Sequence, residues 1–131
     1  MIDSILIANR GEIALRIARA ARELGIRTIQ AVSEADKESI DAVHSDDAIC
    51  IGPPHASKSY LDIESILSAA KESKAAAIHP GYGFLAENSD FAEAVEKAGL
   101  IFVGPSSKTI RLMGNKVAAR KIAEQAGIPT V

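Results

Sequence analysis

Five short, largely apolar runs recur along this chain, separated by segments whose apolar residues return at helical spacing. Ser4–Ala8, Arg27–Val32, Asp47–Ile51, Lys74–Ile78 and Leu100–Val103 are the runs. They are continuous rather than alternating, which predicts strands buried on both faces, as in a parallel sheet. Parallel neighbours cannot be joined by a tight turn; each pair needs a crossover, and a crossover on the same sheet is right-handed.

The intervening segments supply those crossovers. Gly11–Leu24 carries Ile13, Ile17, Ala20, Ala21 and Leu24 on one predicted face and is stopped by Gly25. The polar stretch Ser33–Ser45 predicts a short helix. A helix running to Ser73 starts at Tyr60 or Asp62, with Ser59 or Asp62 as its N-cap. Ser89–Ala98 follows, capped by Ser89 and ended by Gly99. Ser106–Met113 and Asn115–Ala126 are two further helices, broken at Gly114. The pattern as a whole predicts an α/β fold: a doubly wound, Rossmann-like parallel sheet of about five strands flanked by helices.

Size and charge narrow the function. At 131 residues the chain suits one domain, 1–131, and its 47% apolar and 24% charged content is ordinary for a globular protein. A formal net charge of -2 gives no general attraction to nucleic acid or to anionic membranes. Cys50 is the sole cysteine, so no internal disulfide forms; within Ala48-Ile49-Cys50-Ile51 it reads as core. No signal peptide or membrane span is recognisable, so a cytoplasmic location is expected, or the mitochondrial matrix or a plastid if a targeting segment has been removed. Gly127-Ile128-Pro129-Thr130-Val131 reads as a helix exit into a new extended element, and a longer parent polypeptide is expected.

In doubly wound sheets ligands collect beyond the carboxyl ends of the strands. Two unusual turns fall there. Asn9-Arg10-Gly11-Glu12 follows the first strand; it lacks the glycine pattern of a dinucleotide site and reads as a structural βα turn entering a capped helix. His79-Pro80-Gly81-Tyr82-Gly83-Phe84 follows the fourth strand. Its paired glycines allow backbone angles that other residues avoid and let a ligand approach the main chain, so a binding loop with Tyr82 as a flat platform is expected. His79 reads as a structural hydrogen-bonding group. Further on, Asn115 caps a helix whose first turn holds Lys116. A cation there opposes the helix dipole, so the segment reads either as a solvated basic helix, eased by Arg120 and Glu124 four apart, or as a site where an anion such as phosphate binds the free N–H groups and Lys116. On Gly11–Leu24, Glu12 with Arg16 and Arg19 with Glu23 stand four apart, either as solvated pairs or, for Arg16, Arg19 and Glu23, as a subunit contact.

Ile7-Ala-Asn-Arg-Gly-Glu-Ile-Ala14, Ser59-Tyr-Leu61, His79-Pro-Gly-Tyr-Gly-Phe-Leu85 with Glu87-Asn88, Phe102-Val-Gly-Pro105 and Met113-Gly-Asn-Lys116 closely resemble the N-terminal, pre-ATP-grasp domain of biotin carboxylase. This is the biotin-carboxylating component of acetyl-CoA carboxylase, which serves fatty acid biosynthesis, and of its relatives. The resemblance runs from end to end; Ala86 stands where the family more often has serine.

It implies an ATP-dependent ligase reaction in a longer parent. ATP with Mg2+ activates bicarbonate as carboxyphosphate, and the carboxyl group passes to the ureido nitrogen of biotin on a biotin carboxyl carrier protein that works with a carboxyltransferase component. It implies that Lys116 contacts ATP, that the loop from His79 to Phe84 lies on the biotin and bicarbonate side, and that Arg16, Arg19 and Glu23 lie at a homodimer interface. It places the ATP-grasp and C-terminal domains, the metal ligands and the catalytic residues outside this chain, which alone is expected to be inactive. The competing expectations are the leading domain of another ATP-grasp ligase and a stand-alone, non-catalytic nucleotide-binding module.

Overall fold

A computed structural model describes residues 1–131 throughout. The five strands are β1 (Ser4–Ile7), β2 (Arg27–Ser33), β3 (Asp47–Gly52), β4 (Ala77–His79) and β5 (Ile101–Phe102). They form one parallel sheet in the order β3-β2-β1-β4-β5. The helices are α1 (Gly11–Glu23), α2 (Ile40–His44), α3 (Ile63–Glu72), α4 (Ser89–Lys97), α5 (Ser107–Gly114) and α6 (Lys116–Gln125).

Burial follows strand position. Every residue of β1 is buried, and so is every residue of β2 after Arg27. The larger core lies between the sheet and α3 and α4, and includes Leu6, Ile29, Ile66, Ile78, Phe91, Val95 and Phe102. On the other face α1 lays Ala14, Ile17, Ala18 and Ala21 against Ile5, Ile7 and Ala77. The expected face of α1 is therefore rotated: Ala20 and Leu24 are exposed, Leu24 at 76%. Leu24 is the C-cap, where the chain turns away through Gly25 at φ 73°.

Cys50 corrects the expectation that it is core. It is exposed, because β3 is the outer strand and only Ile51 of its six residues is buried. A short apolar run marks a strand but does not say whether a second neighbour covers it. Helix ends differ in smaller ways. Asn88, and not Ser89, caps α4, its side chain accepting from the Phe91 N–H. α1 has no side-chain cap at Arg10, contrary to the expected capped helix. Ser33–Ser45 divides into a single 3-10 turn, Glu34–Asp36, and α2. β4 starts at Ala77 and not Lys74, because Lys74 takes a positive φ of 58° to leave α3. Asp62 is the N-cap of α3 and Asn115 that of α6, as expected.

This topology positions the site. From β1 the chain winds outward to β2 and β3; it then crosses to the opposite side of β1 for β4 and β5. The reversal lies between β1 and β4, and a crevice opens there beyond the strand ends. Both unusual turns flank it.

Candidate functional site at the β1–β4 switch point

Asn9 joins the two turns across the crevice. Its Nδ2 donates to the carbonyls of Pro80 at 2.8 Å and Tyr82 at 2.7 Å, while its Oδ1 accepts from the Arg10 N–H. Gln30 donates to the Asn9 carbonyl at 2.6 Å. In the loop itself the Gly81 N–H donates to His79 Nδ1 at 3.0 Å. That bond makes Nδ1 the acceptor, so the proton of the neutral ring sits on Nε2. Burial pushes the His79 pKa below its usual value and favours this neutral form. Gly81 has φ 65°, and a Cβ there would stand 2.8 Å from Asn9 Nδ2. Glycine is thus required at position 81 both by the backbone angle and by the closeness of Asn9.

The result is a loop fastened from below and open above. Asn9 is 3% exposed and Pro80 is buried, whereas Tyr82 is 66% exposed and Gly83 is exposed beside it at φ 70°. Phe84 bends back and stacks on Tyr60, with ring centroids 5.1 Å apart.

A second cluster supports the loop and was not foreseen from the sequence. Asp36 accepts from the Tyr60 hydroxyl at 2.7 Å, from Ser33 Oγ at 3.1 Å and from Arg10 Nη2 at 2.9 Å. The Tyr60 oxygen in turn accepts from the Ser33 N–H. Burial by itself would raise the Asp36 pKa; the hydrogen bonds from Tyr60 and Ser33 and the charge of Arg10 outweigh it and hold the carboxyl below its ordinary value. Burial, then the bond to Asp36, pushes Tyr60 up to about 12. Arg10 therefore reaches a buried carboxylate from the exposed side through its side chain, and belongs to the βα turn only through its backbone. Gly11 begins α1 at φ 69°, and Glu12 is exposed in the first turn. Only the Ser33–Asp36 spacing, which suits a short turn, hinted at any of this in the sequence.

On the β5 side the crevice becomes a groove of about 630 Å³ running from Tyr82 and Gly83 past Glu87 and Met113 to Gly114. Lys116 lies two residues beyond its end. Asn115 Oδ1 accepts from the Ala118 N–H at 3.1 Å, and the Asn115 carbonyl accepts from the Ala119 N–H. The N–H groups of Lys116 and Val117 occupy the first two helical positions, which have no acceptor within their own helix. Lys116 makes no ion pair, and no acidic residue lies in the first turn of α6. Cation, dipole and free amides thus coincide, which suits a phosphate. No three His, Cys, Asp or Glu side chains converge to form a metal cluster.

Arg16, Arg19 and Glu23 lie exposed on the outer face of α1. Neither Glu12–Arg16 nor Arg19–Glu23 closes into an ion pair, so this face is not tied up by its own charges.

Residues 1–110 match the family described as biotin carboxylase, N-terminal domain. The chain belongs to this biotin carboxylase family. A biotin carboxylase of Pseudomonas aeruginosa is 56% identical over the whole chain, which spans 29% of that relative's length. A propionyl-CoA carboxylase alpha chain of Ruegeria pomeroyi is 50% identical over the whole chain, or 19% of its own length. Among solved structures, the biotin carboxylase domain of a thermophilic 2-oxoglutarate carboxylase bound to bicarbonate superposes with a TM-score of 0.95 at 45% identity, over 100% of this chain and 29% of that one. The five-stranded α/β architecture of this biotin carboxylase N-terminal domain is therefore the family's own. No helix of the domain is long and apolar enough to cross a membrane.

Proposed function

We propose that this domain forms one wall of the active centre of an ATP-dependent biotin carboxylase whose other domains lie outside the chain. Lys116 and the first amides of α6 take a phosphate of ATP. The loop from His79 to Phe84 presents Tyr82 and Gly83 to the biotin and bicarbonate side. Lys116 acts as an electrostatic clamp; a fixed ammonium beside free N–H groups stabilises phosphate charge and exchanges no proton. The observation that carries this reading is the groove that begins at Tyr82 and ends at Gly114, just before Lys116. It is supported by the bicarbonate bound to the 2-oxoglutarate carboxylase domain, a chain of the same fold at 45% identity.

Magnesium, and the groups that transfer the carboxyl to biotin, are assigned to the ATP-grasp and C-terminal domains. Biotin arrives on a carboxyl carrier protein and the product passes to a carboxyltransferase component. The exposed α1 face with Arg16, Arg19 and Glu23 pairs two parents as a homodimer. The acceptor of the carboxyl group is selected elsewhere in the parent, since this domain is 56% identical to a plain biotin carboxylase and 50% identical to a propionyl-CoA carboxylase chain. Acetyl-CoA carboxylase is thus one of several settings this domain serves.

The test is bicarbonate-dependent ATP cleavage with free biotin. The isolated 131-residue chain gives no turnover, and any true turnover by it refutes the division of labour. In an intact enzyme carrying this domain, Lys116→Gln raises the KM for ATP by about tenfold or more, the loss of one charge-assisted contact. An unchanged ATP KM removes Lys116 from the nucleotide site.

A further inference from the structure

In the exposed part of the loop the Tyr82 ring stands in solvent, and the N–H groups of Tyr82 and Gly83 find no acceptor in the chain. The direction of the Gly83 N–H is set from beneath. The carbonyls of Pro80 and Tyr82 receive no backbone N–H; the Asn9 carboxamide bonds both, at 2.8 and 2.7 Å. In a trans, planar peptide the C=O and the N–H point opposite ways. No peptide of this chain is cis. Drawing the Tyr82 carbonyl down onto Asn9 therefore turns the Gly83 N–H up toward the solvent side.

We propose that Asn9 is a positioning residue for the Tyr82–Gly83 shelf, directing the Gly83 N–H at an acceptor atom of whatever ligand lies on that shelf. The assignment of biotin to that ligand rests on the function proposed above; the positioning itself does not. The chemistry asks for asparagine. One nitrogen must donate twice to two carbonyls, and one oxygen must accept from the Arg10 N–H on the other side. Aspartate offers the acceptor but sets an anionic oxygen against two carbonyls. Alanine and leucine offer neither function, and glutamine is one methylene too long for a site that is 3% exposed. The surroundings are built to the same end. Gln30 holds the Asn9 carbonyl at 2.6 Å, and Gly81 leaves room for the carboxamide that a Cβ would meet at 2.8 Å. Asn9 reaches across 71 and 73 residues to do this, so its role goes well beyond its own turn.

Backbone amide NMR of the chain, as wild type, Asn9→Asp and Asn9→Ala, decides the matter. In Asn9→Asp at neutral pH the amide signals of Gly81, Tyr82 and Gly83 move or broaden, while those of Leu6, Ile29 and Ile78 stay in place. Lowering the pH protonates the introduced carboxylate, restores one donor, and brings the Gly83 signal part of the way back. A folded Asn9→Asp with an undisturbed loop overturns the proposal. So does equal loss of signal across loop and strands in both variants, which would make Asn9 a general fold residue. In an intact carboxylase, Asn9→Asp raises the KM for biotin about tenfold and leaves that for ATP unchanged, equivalent to about 1.4 kcal/mol of lost orientation. A disturbed loop with an unchanged biotin KM leaves the positioning in place and overturns biotin as the ligand.

Discussion

The two ends of the proposed site are built in opposite ways. The shelf around Tyr82 is held by buried tertiary bonds: Asn9 beneath it, and Tyr60 with Asp36 behind it. The phosphate-facing end is held locally. α6 buries no residue, and its start is organised by its own N-cap, Asn115. α5 lies between these extremes, fastened to α4 by Ser107 on Glu96 and by Arg111 on Asp90 and Glu93. Val117, Ile122 and Ile128 remain exposed along the arm. An orientation that must be fixed is supplied by long-range bonds in a dry setting. A charge that has only to be near an anion sits on a helix whose shape depends on its neighbours in sequence.

The contrast breaks most easily at the core. Phe91 is fully buried against Phe102, at 5.9 Å between ring centroids. Phe91→Ala is expected to cost about 3–5 kcal/mol in urea unfolding. Ile122→Ala, on the half-exposed arm, is expected to cost less than about 1 kcal/mol. Similar costs at both positions would mean that α6 belongs to the core after all.

Tyr60→Phe comes next, at about 1–3 kcal/mol, because it removes one of the three donors to buried Asp36 and takes the acceptor from the buried Ser33 N–H. The pH profile sharpens the reading. The Tyr60 pKa is raised in the folded chain, so its contribution is full below about 10, the unfolded value, and is lost as pH rises toward about 12. The variant should lack that alkaline loss. Asp36 is lowered, so its contribution is present above the unfolded carboxylate range and fades as pH falls through the folded value. His79 is also lowered: the unfolded chain takes up its proton first, so stability declines as pH falls from about 6.5 to the folded value.

Asn115→Ala gives a smaller and more local loss than Phe91→Ala. Losing the cap costs α6 about 1 kcal/mol. Amide exchange should quicken in α6 alone, with β1 and β2 unaffected; protection that falls in the strands as well would tie the arm to the whole fold.

Much of this was legible in advance, for local reasons. The order of strands and helices follows from apolar periodicity, and the caps at Asp62 and Asn115 from side chains that bond an N–H three residues on. The Gly81-Tyr82-Gly83 loop announced itself because glycine twice beside an exposed aromatic has few structural reasons. Other features were hidden. Cys50 looked like core because an apolar run reports a strand and not its neighbours, and β3 turned out to be an edge. Asn9 looked like a turn residue, since its partners lie 71 and 73 residues away.

By itself, then, the sequence determined the elements, their alternation and the family, because these are set by patterns within a few turns of helix or one length of strand. The tertiary structure alone decided which strands became edges, which carbonyls Asn9 would hold and where Tyr60 would meet Asp36. Those outcomes depend on which distant surfaces meet when the core closes. A hydrogen bond across the β1–β4 switch point leaves no periodic trace in either of the segments it joins.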